Sequence, residues 1–193
     1  MNKNKYIVLC LFFLFNCDSK SQVELFPAYE FRYLENLVSE EVLFSPFSIK
    51  VPKGFNRFNE KDLSILKNKI DNDPGSFFNK EIIHGFSDSL NTAFIISVVK
   101  DNNLLKRLGK DFKIYLNETN EEVAKNQYSI NSIRAVQYQT KNNLNNIGFT
   151  NLKIFLINGE SGNYLLDFVI LDRNFNNKLY SIESSLSTLK RKK

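Results

Sequence analysis

The chain of 193 residues is poor in the residue types that carry covalent and metal chemistry, with two cysteines, one histidine and no tryptophan. Cys10 and Cys17 both lie near the N-terminus, so residues 18–193 supply no thiolate nucleophile, CxxC redox motif or cysteine ligand for zinc. His84 has no second histidine with which to build a usual metal or general-base site. We therefore interpret His84 as a structural or surface histidine.

Glycine and proline are also scarce, at 7 and 4 residues, which argues against a disordered or collagen-like chain. Hydrophobic residues make up 42% of the sequence and aromatic residues 13%, enough to build one well-buried core. The length allows one ordinary domain rather than two. The prediction is a single domain over residues 29–193.

No apolar run is long enough to cross a bilayer, which takes about 20 helical residues. The longest run is Tyr6–Phe15, preceded by Lys3 and Lys5 and followed by Asn16-Cys17 and a polar segment. A short apolar run behind basic residues is typical of a cleaved export signal.

The sequence Leu14-Phe15-Asn16-Cys17 resembles the lipobox of bacterial lipoproteins. The resemblance implies a signal peptide over residues 1–16, cleavage before Cys17, lipid on its sulfur, and a tether over 17–28. An ordinary secretory signal with a free Cys17 and a short membrane-tethering helix remain the alternatives. Several acyl chains on one cysteine would anchor the protein stably. We therefore expect it in the cell envelope, attached to the membrane through Cys17, with another envelope protein as its partner.

The net charge of +5 is concentrated at the C-terminus, where the last four residues, 190–193, are all basic. Contact with anionic lipid headgroups is one interpretation. The favoured one is a helix C-terminus with cations that suit its dipole. Because the excess charge is confined to the tail, nucleic-acid binding is not predicted.

Apolar periodicity predicts alternating helices and strands in the first two thirds of the chain. Asn59 is placed to cap a helix whose apolar stripe is Leu63, Leu66 and Ile70. The predicted elements are a helix over Ala28–Val38, a half-buried strand over Phe47–Val51, the helix after Asn59, strands over Lys80–Phe86 and Thr92–Lys100, and a helix from Asn103 through Leu104, Leu108, Phe112 and Leu116.

In the last third, Thr119–Glu122 matches a capping box that would open a further helical turn toward Asn126. Alternation predicts one strand over Ser129–Thr140. Strands over Leu152–Ile157 and Tyr164–Leu171 flank Asn158-Gly159, a hairpin signal, and Leu179–Leu189 forms an amphipathic helix. Together these elements predict an α+β fold, an antiparallel sheet with helices packed on it.

The nine residues Phe47–Phe55 (FSIKVPKGF) resemble the opening strand of PsbP-like domains, and the later order of elements over residues 45–190 is similar too. The resemblance implies a sandwich of sheet and helices. Its members include an extrinsic subunit of photosystem II, a Ran-binding protein and bacterial envelope lipoproteins, which mostly bind other proteins. Fold does not fix function. Histidines form metal contacts in the photosynthetic branch, but that role is not transferred to His84.

No catalytic or cofactor motif is complete. Asn158–Gly162 lacks the spacing of a nucleophile elbow, and Asp71–Gly75 lacks the closing glutamate of a calcium loop. Asp167 interrupts an apolar strand and is the carboxylate of interest, although alternation can simply turn it to solvent. We expect a non-enzymatic binding protein without metal or cofactor. The alternative is an envelope hydrolase that uses carboxylate or hydroxyl groups.

Overall fold

The computed structural model describes residues 26–71, 77–101, 103–120, 122–158 and 162–192. The predicted signal peptide and Cys17 lie outside these ranges and stay predictions, as does the division into tether and domain. Its helices and strands follow in chain order: β1 Val38–Phe44, β2 Phe47–Pro52, β3 Asn56–Arg57, α1 Glu60–Asp71, β4 Lys80–Ser87, β5 Ala93–Val99, α2 Leu104–Arg107, α3 Lys110–Thr119, β6 Glu122–Ile130, β7 Ile133–Leu144, β8 Ile147–Ile157, β9 Asn163–Leu171, α4 Phe175–Ser187 and β10 Lys190–Arg191.

Seven strands form one antiparallel sheet in the order β3-β4-β5-β9-β8-β7-β6. β5, β9 and β8 occupy its middle because their sequences are apolar on both faces. A smaller antiparallel sheet has the order β1-β2-β10.

The large sheet separates two hydrophobic cores. On its inner face, residues such as Phe94, Phe168 and Leu166 pack with β2 and with Ile182 and Leu186 of α4. On its outer face, α2 and α3 cover a second core, and α1 contacts β4 farther along the sheet. The predicted α+β architecture is confirmed. Among the described residues, no helix combines the length and apolar character needed to cross a bilayer.

Several elements match their predicted positions. The Asn59 side chain accepts a hydrogen bond from the Asp62 backbone N–H at 2.8 Å, so it caps α1 as expected. All four apolar residues predicted to form the stripe after Asn103 are buried, although Gly109 divides the helix into α2 and α3. The strand from Phe47 is more buried than predicted, because both of its faces are covered.

The helix predicted over Ala28–Val38 is wrong. Residues 28–34 are extended or irregular, a single 3₁₀ turn covers Glu35–Leu37, and β1 begins at Val38. The backbone of this segment bonds to distant residues: Tyr29 N–H donates to Ser129 O at 2.9 Å and Leu34 N–H to Ser184 Oγ at 3.1 Å. Tertiary partners therefore override the helical spacing of its apolar residues.

The capping box at Thr119–Glu122 is also wrong. Thr119 ends α3, Asn120 donates from its side-chain Nδ2 to Leu116 O at 2.7 Å, and β6 begins at Glu122. The single strand predicted over Ser129–Thr140 is interrupted by a turn at Asn131 and Ser132, both with positive φ. The outcome is a β6–β7 hairpin that the sequence did not predict.

The basic tail does not continue a helix. Lys190 and Arg191 form β10 beside β2, and the ammonium groups of Lys190 and Lys192 lie 3.1 and 3.0 Å from Glu41 Oε1. Lys190 and Lys192 therefore pair with a carboxylate of β1, not with the dipole of α4.

Candidate functional site

His84 and Asp167, the two side chains of chemical interest in the sequence, lie on opposite faces of the large sheet. His84 pairs with Ile96, and Ile96 pairs with Leu166 on β9. Paired residues share a face and consecutive residues alternate, so Asp167, next to Leu166, points the other way. The sheet therefore keeps these two groups from acting on one substrate.

Asp167 is buried, with 7% of its surface exposed, so the interpretation that alternation turns it to solvent is wrong. Its Oδ2 lies 2.6 Å from Nζ of Lys153, its cross-strand neighbour on β8. His84 lies between the two sheets, where its Nε2 is 3.0 Å from Leu43 O. Desolvation is the main cause that lowers the pKa of His84. Each group thus has a partner within the fold.

The described residues contain no group of three or more histidine, cysteine, aspartate or glutamate side chains that could hold a metal ion.

The inner face of the large sheet carries a cavity of about 400 Å³ between α4 and the edge strand β6, which we call the α4–β6 groove. Pro27–Tyr29 close one end of it, because they run parallel to β6 and bond to Ser129. Leu179, Ile182 and Leu186 of α4 form its apolar wall, with Leu152 of β8 in the floor. Its volume is in the usual range for small-molecule sites, about 300–1,000 Å³.

Four amide residues line the groove, and three of them face it from the sheet: Asn126 of β6 and Gln137 and Gln139 of β7. The fourth, Gln127, pairs with Val136 of the outer core, so its position belongs to the opposite face of the sheet. Asn126 and Gln137 are cross-strand neighbours, and Gln139 lies two residues farther along β7 on the same face. Gln137 accepts a hydrogen bond from the Tyr128 hydroxyl at 2.6 Å through Oε1. No other described residue bonds to the Asn126 or Gln139 amides, so both can bond to a ligand.

Three aromatic rings cluster at the end formed by the N-terminal segment. The ring centroids of Tyr29 and Phe31 are 4.6 Å apart, and each lies 5.6 Å from that of Tyr128. Tyr128 is buried, and its burial raises the pKa of the phenol, which stays protonated and keeps its hydrogen bond to Gln137. Tyr29 is 51% exposed, so part of its ring can contact a ligand.

The electrostatics of the groove are simple. Glu183 is the one charged side chain among the described residues that line it. Since the described lining includes no lysine or arginine, it offers no cation to bind phosphate or carboxylate groups. Its chemistry favours a ligand that has apolar surface and uncharged hydrogen-bonding groups.

Sequence reasoning missed this site because it missed β6. The sequence predicts a helical turn toward Asn126, and it places Gln137 and Gln139 in a single strand over Ser129–Thr140 without a neighbouring β6. One signal was available: Tyr128, Ile130, Ile133 and Ala135 alternate around Asn131-Ser132, and asparagine in such a turn is typical of a hairpin.

No protein-family model matches the chain, and no curated protein matches its sequence. Solved structures do match. Cyanobacterial PsbP from Synechocystis is 10% identical with a TM-score of 0.51, covering 80% of this chain and 93% of its own. A Pseudomonas aeruginosa protein of unknown function is 9% identical with a TM-score of 0.48, covering 80% and 97%. LpqN of Mycobacterium tuberculosis, involved in cell envelope biogenesis, is 10% identical with a TM-score of 0.40, covering 72% and 91%.

Identities this low bear on the fold alone. The match to cyanobacterial PsbP covers 80% of this chain and supports the predicted fold. The described part of the chain has the PsbP-like α+β sandwich fold that its sequence resembles.

Proposed function

We propose that this chain is a non-enzymatic binding protein of the bacterial cell envelope, held at a membrane by lipid on Cys17, and that it binds its ligand in the α4–β6 groove. The observation that carries the proposal is the groove itself, in which the Asn126 and Gln139 amides, to which no other described residue bonds, lie beside a half-exposed tyrosine. Such a mixture of apolar wall and few polar groups is typical of a binding site.

The position of the groove supports the link to the anchor. Pro27 and Ala28 line it, and Pro27 follows Cys17 by ten residues. Ten extended residues span at most about 35 Å, so a lipid on Cys17 would keep the groove near the membrane surface.

The hydrolase alternative has less support. The described carboxylate of greatest interest, Asp167, is paired with Lys153 on the outer face, away from the groove, and Glu183 lines the groove without a described acidic or histidine partner there. A hydrolase that uses a pair of carboxylates, or a carboxylate and a histidine, would require a second such group within reach of the same ligand.

The anchor is tested by expressing the protein in bacteria with labelled palmitate, as wild type and as Cys17→Ala. We expect label and membrane retention in the wild type and loss of both in the variant, because the variant has no sulfur to acylate. Equal labelling of the two proteins would reject lipid attachment at Cys17.

The groove is tested separately by purifying the protein from native membranes as wild type, Gln139→Trp and Ile114→Trp. An indole at residue 139 fills the groove, whereas Ile114 is 45% exposed on α3, on the other side of the sheet. We expect Gln139→Trp to lose co-purifying material that Ile114→Trp retains. If both variants retain it, the groove is not the binding site.

A further inference from the structure

We propose that the ligand of the α4–β6 groove is a neutral oligosaccharide. This inference rests on the proposed binding function and names the class of ligand. Three features of the described lining favour this class: the three amides that face the groove, the rings of Tyr29 and Phe31, and a single charged side chain.

The amides fit hydroxyl groups. Each amide offers two N–H donors and a carbonyl acceptor, and a sugar hydroxyl both donates and accepts. Because Gln137 uses Oε1 to accept from Tyr128, its NH₂ group is left for a ligand. Asn126, Gln137 and Gln139 therefore present donors and acceptors on one continuous face.

The aromatic end fits the apolar face of a sugar ring. A pyranose carries axial C–H groups on one face, and an aromatic ring has a negative face that attracts them. Tyr29 is 51% exposed and lies on the groove side of the segment that bonds to β6. One sugar can stack on Tyr29 while the next reaches the amides.

An acyl chain fits less well. It would cover the Asn126 and Gln139 amides without bonding to them, and a polar group that loses water without gaining a partner weakens binding. Anionic ligands fit poorly too, since Glu183 repels them and the described lining supplies no cation. An extended peptide would bond mainly through the backbone of β6, an edge that Pro27–Tyr29 already occupy at Ser129.

The test uses the full-length chain in a detergent without a sugar headgroup. Cellohexaose, chitohexaose and maltohexaose are titrated by calorimetry, and the protein is applied to an array of neutral and acidic glycans. We expect binding to at least one neutral glycan. A protein that binds no neutral glycan, or binds only acidic ones, overturns the proposal.

Two pairs of variants assign the binding to the groove. Gln139→Leu removes the amide at similar volume, and we expect affinity for the glycan to fall about tenfold or more, because ligand hydroxyls lose their partner. Asn143→Leu makes the same kind of change at an exposed residue of β7 outside the groove, and affinity should be unchanged. Tyr29→Ala should weaken binding, whereas Tyr29→Phe should keep it.

Competing ligands are measured with the same proteins. If a fluorescent fatty acid or an uncharged peptide binds the wild type and no glycan does, the ligand class is wrong. If Gln139→Leu folds and binds the glycan as the wild type does, the groove assignment is wrong. Cys17→Ala should bind glycan normally. The two proposals can therefore fail separately. If no glycan binds, but Cys17 is labelled with palmitate and Gln139→Trp still loses the co-purifying material, this inference is rejected and the proposed function stands.

Discussion

Polar side chains that a sheet buries need a partner of opposite charge or a hydrogen bond. Asp167 meets this need through Oδ2, which pairs with Lys153, whereas its buried Oδ1 has no described hydrogen-bond partner. The Lys153 side chain is 22% exposed, against 10% for the carboxylate. The pair sits on the outer face of the two central strands β8 and β9, so it contributes to the fold whether or not it has any further role.

Lys153→Met should lower the free energy of unfolding by about 3 kcal/mol, because it leaves a buried carboxylate without its cation. The double variant Lys153→Met/Asp167→Leu should recover most of that loss, since apolar side chains of similar size can replace a buried ion pair. Urea unfolding of the two variants and the wild type measures both effects. A single variant as stable as the wild type would contradict the burial of Asp167.

His84 should make stability depend on pH. Desolvation lowers its pKa below the usual 6.5, so the unfolded chain binds the proton more readily than the folded one. The stabilisation is complete above the unfolded pKa and is lost as the pH falls below 6.5. Because the chain has one histidine, His84→Gln should remove the slope of unfolding free energy between about pH 5.5 and 7. The slope is measured by urea unfolding at several pH values; if it persists in the variant, another group is responsible.

At the scale of elements, helices and strands were predicted best where burial gave their apolar residues a regular spacing. Four neighbouring strands have clear apolar runs because they pair with each other inside the sheet: β4, β5, β9 and β8. The helix α4 has a clear apolar stripe because one of its faces covers the inner core. The same spacing misled at Phe31, which packs against the inner core from an extended segment. That segment is extended because the backbone N–H groups of Tyr29 and Leu34 bond to Ser129 and Ser184.

The α4–β6 groove could not be predicted from the spacing of apolar residues. Its walls come from residues far apart in the chain: the N-terminal segment, the β6–β7 hairpin and α4. Asn126 and Gln139 have no local sequence signal, because an amide on a strand face looks the same whether it faces water or a groove. Only the tertiary packing of α4 beside β6 gives these amides a shared site.

The β6–β7 hairpin carries the amides, and its turn can be improved. Asn131 and Ser132 have φ of 47° and 66°, a conformation that serine adopts at a cost and glycine does not. Ser132→Gly should therefore raise the free energy of unfolding by about 0.5–1 kcal/mol. Thermal and urea unfolding measure the gain.

Asn131→Gly is the matched control. The Asn131 Nδ2 donates to Ser187 O at 3.2 Å and to Leu189 O at 2.7 Å, bonds that join the turn to the end of α4. The control should gain less than Ser132→Gly, or lose stability. If the two glycine variants are equally stabilised, these bonds contribute nothing.

At the scale of the whole molecule, the large sheet has two unlike edges. β6 is joined to the segment Pro27–Tyr29, which follows the predicted lipidation site at Cys17 by ten residues, whereas β3 lies at the opposite edge beyond β4. Six inter-strand spacings of about 4.8 Å separate the two edges by about 29 Å. A lipid anchor at Cys17 would therefore attach the molecule to the membrane by its β6 edge, with the α4–β6 groove on the membrane side.

This orientation can be measured by energy transfer to acceptor lipids. Once Cys10 has left with the signal peptide and Cys17 carries lipid, a single introduced cysteine is the only thiol to label. Lys125→Cys labels β6 and Asn56→Cys labels β3, both at exposed residues. In vesicles with acceptor headgroups we expect stronger transfer from residue 125, because the chain from Cys17 to Pro27 reaches at most about 35 Å. Equal transfer from both labels, or stronger transfer from residue 56, would mean that the β6 edge does not face the membrane.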